Sequence, residues 1–404
     1  MVFKIINMVS LSIVSSVFTS ALYAAEAQSI DTELGEVQYP NEETISKDIA
    51  NEIEKTLRAQ YKPGRIRRDA HPKAHGCVRA DFNINEDIPD SLAKGMFVPG
   101  KSYPAWIRFS NGSQNPNRAD IRGDARGMAI KILEVQGDKL VKADHIKQEC
   151  SYANRTRVEK KSSDYQPLRA KTDAPWQANK VQFCEGYSNA QDFILVNHPT
   201  FFISDPQDYL TFIKKTQGGL WDKATIPFTL GFQGSMNAFE TSRKTISNPT
   251  QARYWSMVPY QLGSEESKQA VKYSVKPCSD QVDPLPKDPE PNFLRAALKN
   301  TLDNQDVCME FMIQPKTIEE QSVEDVTQEW KEEQAPFYSV AKIHIPQQTF
   351  DTREQNILCE KFSFNPWHST AEHKPLGVVN RLRKGIYEQI SKVRNERATK
   401  ENSN

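Results

Sequence analysis

Three basic side chains near the N-terminus have the types and the spacing to move protons or to bind a metal ion. His71, Lys73 and His75 are two residues apart, so on an extended backbone they lie on one face. Two histidines placed this way could ligate a metal, but the lysine between them is a poor neighbour for a cation and no third ligand is close in sequence. The alternative interpretation is a basic strand exposed to solvent.

A second group of polar side chains lies near the C-terminus. Arg383 is followed after four residues by Tyr387, and Tyr387 after seven residues by Arg394. Because an α-helix turns by about 100° per residue, these side chains share one stripe of a helix. An apolar stripe lies beside it, formed by Val379, Leu382, Ile386, Ile390 and Val393. The pattern predicts a helix that packs by its apolar face and carries a polar edge beside it.

Three further segments complete an order that resembles a known family. They are Arg108-Phe109-Ser110, Asp124-Ala125-Arg126-Gly127, and the run Pro199-Thr200-Phe201-Phe202 that leads to Asp205-Pro206. In this order and spacing the chain resembles the monofunctional haem catalases and their shorter, exported catalase-related relatives. In that family the distal histidine lies in the pattern Arg-x-x-His-x-Lys-x-x-Gly, which begins here at Arg68. The resemblance covers most of the chain.

The resemblance implies a fold and a cofactor. The fold would be α+β, a catalase-like antiparallel β-barrel with flanking helices, and the cofactor a b-type haem with iron. Tyr387 would be the metal ligand, and since a free phenol has a pKa of about 10, ligation as a phenolate needs a fixed positive charge. Arg383, one turn earlier, would supply that charge, and Arg68, Arg108 and Arg394 would bind the two haem propionates.

The resemblance also assigns residues to peroxide chemistry. His71 would accept a proton from the peroxide and return it to the leaving oxygen. Ser110 would bond the other imidazole nitrogen and fix the tautomer. Phe201, Phe202 and Tyr209 fall at the family's aromatic pocket positions.

One site position departs from the family pattern. The family has its distal Asn three residues before the proline of Pro-x-Phe-Phe, and that position is Val196 here. Asn197, one place later, is the candidate residue for orienting the peroxide. Because side chains alternate along a strand, the offset turns Asn197 away from the haem unless a β-bulge restores it.

The elements that must position these residues follow from periodicity and from turn residues. Strands come first, with helices mostly at the two ends of the chain and after an apolar strand, which favours an α+β architecture on an antiparallel sheet or barrel. The predicted helices are Asn41–Tyr61, Asp205–Gly219 and Val378–Arg397. The predicted strands are Cys77–Ile84, Ala105–Ser110, Met128–Leu133, Phe193–Ile203, Gln269–Val275 and Cys308–Ile313.

The chain contains six cysteines. The polar segment Glu134–Gln191 is longer than the corresponding connection in the family, and we interpret it as an insert that a Cys150–Cys184 disulfide holds in place. Cys278 and Cys308 flank another polar stretch and are predicted to form a second bridge. Cys77 and Cys359 are interpreted as buried small apolar residues.

The N-terminal residues indicate export. Lys4 precedes an uncharged apolar run, Ile5–Tyr23, and small residues allow cleavage between Ala24 and Ala27. The alternative is an uncleaved membrane anchor. With residues 1–27 removed as a signal peptide, residues 28–404 are predicted to form a single haem domain, periplasmic or secreted, with no stable membrane span. That compartment would allow disulfides to form.

Composition narrows the function further. The chain of 404 residues carries 52 Lys and Arg against 52 Asp and Glu, which argues against binding nucleic acid by bulk charge. We expect a haem-dependent catalase or peroxidase whose partners are a peroxide substrate and an organic electron donor. Two alternatives remain: a haem enzyme that rearranges lipid hydroperoxides, similar to the allene oxide synthases, and a non-catalytic periplasmic haem-binding protein. The oligomeric state is left open.

Overall fold

Nine antiparallel strands form one closed sheet. The computed structural model describes residues 30–142 and 187–396, so the predicted signal peptide and the predicted Cys150–Cys184 pair lie outside the described residues. The strands are β1 Ala74–Ile84, β2 Ser102–Asn111, β3 Arg126–Ile132, β4 Gln191–Val196, β5 Tyr254–Trp255, β6 Tyr260–Leu262, β7 Gln269–Pro277, β8 Val307–Pro315 and β9 Tyr338–Ile345. Their order is β5-β4-β3-β2-β1-β9-β8-β7-β6, and an additional β5–β7 pairing closes the sheet into a barrel.

Helices flank this barrel, which confirms the predicted fold class. They are α1 Glu42–Gln60, α2 Pro206–Gln217, α3 Leu220–Ala224, α4 Ile226–Arg243, α5 Phe293–Asn304, α6 Arg353–Lys361 and α7 Val378–Asn395. α1 packs against both α7 and α2. Within the two described ranges, no helix is both long enough and apolar enough to cross a membrane.

The three predicted helices are confirmed, and one predicted strand is too long. α2 begins as expected, with the Asp205 side chain accepting a hydrogen bond from the Asp208 amide at 2.9 Å. The strand predicted over Phe193–Ile203 is wrong in its second half, because β4 ends at Val196. Pro199 has no N–H to donate to a ladder, so the apolar residues that follow belong to a turn.

Aromatic side chains fill the interior of the barrel. The ring of Phe193 lies 4.9 Å from the rings of both Tyr273 and Phe311, and Phe82 lies 5.1 Å from Phe311. All four are at most 1% exposed. Because side chains alternate along a strand, Ile194 must point to the outer face. Space for a ligand therefore lies outside the barrel.

Both cysteine pairs among the described residues are disulfides. The predicted Cys278–Cys308 bond is confirmed. The interpretation of Cys77 and Cys359 as unpaired apolar residues is wrong, although both are buried, because they bond to each other with their Cα atoms 6.0 Å apart. Cys77 pairs in register with Arg108, so the bond joins α6 to the outer face of the sheet.

Removing the Cys77–Cys359 bond is expected to destabilise the protein more than removing Cys278–Cys308. The first bond joins residues 282 apart in sequence and the second residues 30 apart. In the chain-entropy model these loops correspond to about 5.6 and about 3.6 kcal/mol. Urea unfolding of two double variants, Cys77→Ser with Cys359→Ser and Cys278→Ser with Cys308→Ser, measures the difference. A larger loss in the second variant would contradict the expectation.

Candidate active site

A cavity lies between helix α7 and the outer face of strands β2, β3 and β4. The strand register places two rows of residues on this face, Arg108–Ala129–Ile194 and Ser110–Gly127–Val196. From α7 the cavity is lined by Ile386, Tyr387, Ile390, Ser391 and Arg394. The cavity thus has apolar walls and polar groups at defined places.

His71 reaches the cavity from the segment just before β1. Its backbone φ is 60°, in the left-handed region that residues other than glycine rarely adopt. Its Nδ1 lies 3.0 Å from Ser110 Oγ, and its carbonyl accepts a hydrogen bond from Arg108 Nη2 at 2.9 Å. A Cβ at Gly127 would lie 2.5 Å from the ring atoms Cε1 and Nδ1, so glycine leaves the space that the ring needs. The ring is fixed through Nδ1, which leaves Nε2 available to a ligand.

The environment keeps His71 neutral. Burial lowers the pKa of His71 to about 3, and the positive charges of Arg108 and Arg68 act in the same direction. The ring nevertheless keeps some accessible surface, because it faces the cavity. A neutral imidazole with one free nitrogen can accept a proton, so the group is suited to general base and acid catalysis.

Replacing Gly127 with Ala is expected to lower the free energy of unfolding by about 1–3 kcal/mol, because the new Cβ would lie 2.5 Å from the His71 ring and would have to displace it. Gly219→Ala is the matched control, since a Cβ there meets nothing closer than 3.8 Å. Urea unfolding of the two variants checks the expectation, which fails if they behave alike.

Three arginines meet at one edge of the cavity, around the side chain of Glu360. Arg68 Nη1 lies 2.7 Å and Arg108 Nη2 3.5 Å from its carboxylate oxygens, and Arg394 Nη1 donates to its carbonyl oxygen. Burial, followed by repulsion from Arg68, lowers the pKa of both Arg108 and Arg394 to about 9. Burial acts to raise the pKa of Glu360, but the three arginines together hold it below its usual value. The edge has an excess of positive charge that the two carboxylates of a ligand would balance.

Glu360 is a site residue that sequence reasoning missed. It lies near the end of α6, and both Arg68 Nη2 and Arg394 Nη2 also donate to the Phe362 carbonyl, at 2.7 and 2.8 Å. The Cys77–Cys359 disulfide anchors this end of α6 to β1. The sequence carries only a weak signal of this, an acidic residue next to a cysteine.

Tyr387 lies in the cavity wall on the predicted stripe of α7 and is half-buried. Arg383, one turn earlier, is only 6% exposed, and its guanidinium carbon lies 5.1 Å from the centre of the Phe201 ring. Among the described residues its Nη1 has no hydrogen-bond partner. A buried guanidinium without a full set of acceptors favours an anionic group nearby.

The predicted aromatic residues lie behind this wall and not in it. The ring of Phe201 lies 4.4 Å from that of Phe202 and 6.0 Å from that of Tyr209. Burial raises the pKa of Tyr209 to about 12, so it stays protonated at physiological pH. These rings enclose the side of α7 that carries Arg383.

Asn197 is not brought into the cavity. Its Oδ1 accepts a hydrogen bond from the Arg126 amide at 2.7 Å, and its own amide donates to the Arg126 carbonyl. No bulge interrupts the register before this point, and Val196, the partner of Gly127, occupies the row that contains Ser110. The chain thus has a valine in this row at the position where the family pattern has an amide.

Lys73 and His75 form a structural network away from the cavity. Lys73 Nζ lies 2.6 Å from the buried carboxylate of Asp120, and His75 Nε2 lies 2.7 Å from Asn111 Oδ1. Asn111 in turn donates to Asp120 at 2.9 Å. Both sequence-based interpretations of this segment, a metal site and a basic strand exposed to solvent, are therefore wrong. Its polar groups form hydrogen bonds and an ion pair with one another in the interior.

Acid is expected to destabilise the protein through its buried histidines. Burial holds the pKa of His71 and His373 at about 3, and of His75 and His198 at about 4, against about 6.5 in an unfolded chain. Between pH 6.5 and 4 the unfolded chain binds more protons than the folded protein. The free energy of unfolding therefore decreases as the pH is lowered, by up to about 1.4 kcal/mol per pH unit for each of these histidines. Urea unfolding across this range measures the slope, and a flat profile would contradict it.

The closed sheet and its flanking helices match solved catalase structures. Catalase A from Saccharomyces cerevisiae matches with a TM-score of 0.58 and 18% identity, over 85% of this chain and 63% of the catalase. A fungal catalase matches with a TM-score of 0.55 and 17% identity, over 86% of this chain and 67% of the catalase. A bacterial catalase matches with a TM-score of 0.57 and 17% identity, over 89% of this chain and 62% of the catalase. No family model and no curated protein matches the chain. The fold is therefore that of the catalases, and the chain spans 62–67% of the length of these three.

Proposed function

We propose that this protein is an exported, haem-dependent oxidoreductase that degrades hydrogen peroxide or organic peroxides. The single observation that carries the proposal is the cavity itself, which brings a neutral histidine, a tyrosine and a cluster of arginines to one apolar space. These groups come from the two ends of the chain. Their convergence in a catalase fold supports a peroxide-cleaving site.

The residues of the cavity fit a haem. The apolar walls suit a flat macrocycle, Arg68, Arg108 and Arg394 suit its two carboxylates, and the unsatisfied Nη1 of Arg383 suits a charged ligand at Tyr387. Bound haem would supply the redox-active iron that peroxide cleavage requires.

The residues of the chain would then divide the remaining work. His71, neutral and fixed through Nδ1 by Ser110, would accept a proton from the peroxide at Nε2 and return it to the leaving oxygen. Arg383 would stabilise the negative charge of Tyr387. The apolar walls of Ile194 and Ile390 would exclude water from the reacting groups.

A second candidate function follows from Val196. An amide on the distal side would orient a small polar peroxide, whereas a valine there offers only apolar contact. This favours an organic hydroperoxide, as substrate of a peroxidase or of a rearranging enzyme, over efficient dismutation of hydrogen peroxide. A protein that binds haem without turnover is the third possibility.

One experiment separates these functions. The protein reconstituted with haem is given hydrogen peroxide, cumene hydroperoxide or a polyunsaturated fatty acid hydroperoxide, with and without a phenolic donor, and oxygen release, donor oxidation and hydroperoxide loss are recorded against haem alone. Oxygen release indicates a catalase, and donor oxidation indicates a peroxidase. Loss of hydroperoxide with neither oxygen release nor donor oxidation indicates a rearranging enzyme. Turnover no faster than that of haem alone would overturn the proposal.

A further inference from the structure

Helices α3 and α4 carry a cluster of exposed apolar side chains. Leu220, Trp221, Phe228 and Phe232 are 83–86% exposed, and Phe239 is 56% exposed. Single exposed apolar residues are normal on protein surfaces, but several large ones within twenty residues indicate an interaction site. We name residues 220–239 the aromatic segment.

The C-terminal half of the aromatic segment packs against the loop that contains Phe201 and Phe202. Asn237 Nδ2 donates to the carbonyls of Phe201 and Thr327, at 3.0 and 2.9 Å. A Cβ at Gly234 would lie 2.3 Å from the Phe202 carbonyl oxygen, so the backbone of α4 lies directly on that loop. Within α4, Gly231 adopts a φ of 65°, and the resulting bend leaves aromatic residues on both sides of it exposed.

Charge is arranged around the aromatic segment in a specific way. Residues 224–239 contain no charged side chain. Residues 214–244 on either side of this uncharged stretch contain Lys214, Lys215, Lys223, Arg243 and Lys244 against Asp222 and Glu240. Lys214, Lys223 and Arg243 are exposed, whereas Lys215 Nζ donates to Thr229 Oγ1 and Lys244 Nζ donates to the Asn197 carbonyl. An apolar, aromatic surface with a basic border is the pattern of segments that lie in the interface of a membrane containing anionic lipids.

We propose that the aromatic segment binds the surface of an anionic phospholipid bilayer, with Trp221, Phe228 and Phe232 entering the boundary between headgroups and acyl chains. The basic border would then contact the phosphates. A second copy of the chain fits this surface less well, because a symmetric contact would bring the two basic borders together. The proposal concerns attachment at the surface and is independent of the proposed function.

The test uses the full protein and vesicles. Co-sedimentation is measured with vesicles of phosphatidylglycerol and phosphatidylcholine, and with phosphatidylcholine alone. We expect preferential binding to the anionic vesicles, weakened by salt, and a blue shift of tryptophan fluorescence. The double variant Phe228→Ser with Phe232→Ser should bind at least about tenfold more weakly.

Matched controls keep the test decisive. Val282→Ser with Leu285→Ser removes exposed apolar side chains elsewhere, at 64% and 44% exposure, and should bind as the unchanged protein does. Lys214→Glu with Lys223→Glu leaves the aromatic residues intact and should weaken binding to the anionic vesicles alone. Binding that the Phe228 and Phe232 variant retains would overturn the proposal. So would the absence of vesicle binding, or a dimer of the unchanged protein that this variant converts to a monomer.

Discussion

The Tyr387→Phe variant is expected to lose its tyrosinate-type absorption spectrum and to bind haem at least about 100-fold more weakly. Tyr387 is the one phenol in the cavity wall among the described residues, and it lies one turn from the buried guanidinium of Arg383. Phenylalanine keeps the ring and removes the oxygen that would ligate iron. Losses of about 10- to 100-fold follow even when only a partner of a metal ligand is removed, so loss of the ligand itself should cost more.

Tyr209→Phe is the matched control for this variant. Tyr209 is aromatic and close to Arg383, but it is not in the cavity wall, and its raised pKa keeps it protonated. Its removal should leave the spectrum unchanged. Haem titration followed by absorption measures both variants, and a Tyr387→Phe protein with an unaltered spectrum would show that another residue ligates the iron.

The His71→Ala variant is expected to retain haem and to lose peroxide turnover by about 10²- to 10⁴-fold. His71 lines the cavity with Nε2 available to accept and return a proton, and general acid and base catalysis contributes about this much. The cavity opened by the change could admit free imidazole, which should restore part of the activity. Turnover with and without imidazole measures the effect.

His344→Ala is the control for this variant. His344 lies on β9, where its Nε2 is 2.9 Å from the Asp306 carboxylate, and it is not among the residues that line the cavity. The pH profile adds a second check. Because the pKa of His71 is about 3, the ring stays neutral as the pH falls from 7 to 5, and turnover should not show the loss expected of an ordinary histidine with a pKa of about 6.5. A His71→Ala protein as active as the unchanged one would remove His71 from the mechanism.

Local patterns predicted the elements that local interactions determine. α1 and α7 follow from apolar residues at helical spacing, and α2 from the Asp205 cap with Pro206 in the first turn. β5, β6 and β9 were missed, as were the helices from α3 to α6. β9 is a strand because it pairs with β1 and β8, which are distant in sequence, and such pairing leaves little trace in a single segment.

The site residues also divide into those that the sequence could indicate and those that depend on packing between distant segments. The arginine, tyrosine and histidine positions were predicted because the family resemblance supplied their roles. The structure places His71, Ser110 and Tyr387 around one cavity, together with Arg68, Arg108 and Arg394, but not Arg383. Glu360 and the Cys77–Cys359 bond were not predicted, because both depend on where α6 packs on the sheet. Asn197 shows the value of strand alternation, since the register turns it away from the cavity and places Val196 in the row with Ser110.

The absorption spectrum of the protein reconstituted with haem tests the central claim most directly. If the cavity holds haem with Tyr387 as the ligand, the unchanged protein and Tyr209→Phe will both give a tyrosinate-type Soret band, and Tyr387→Phe will not. A protein that gives no Soret band, or whose band is unaffected by Tyr387→Phe, would contradict the account.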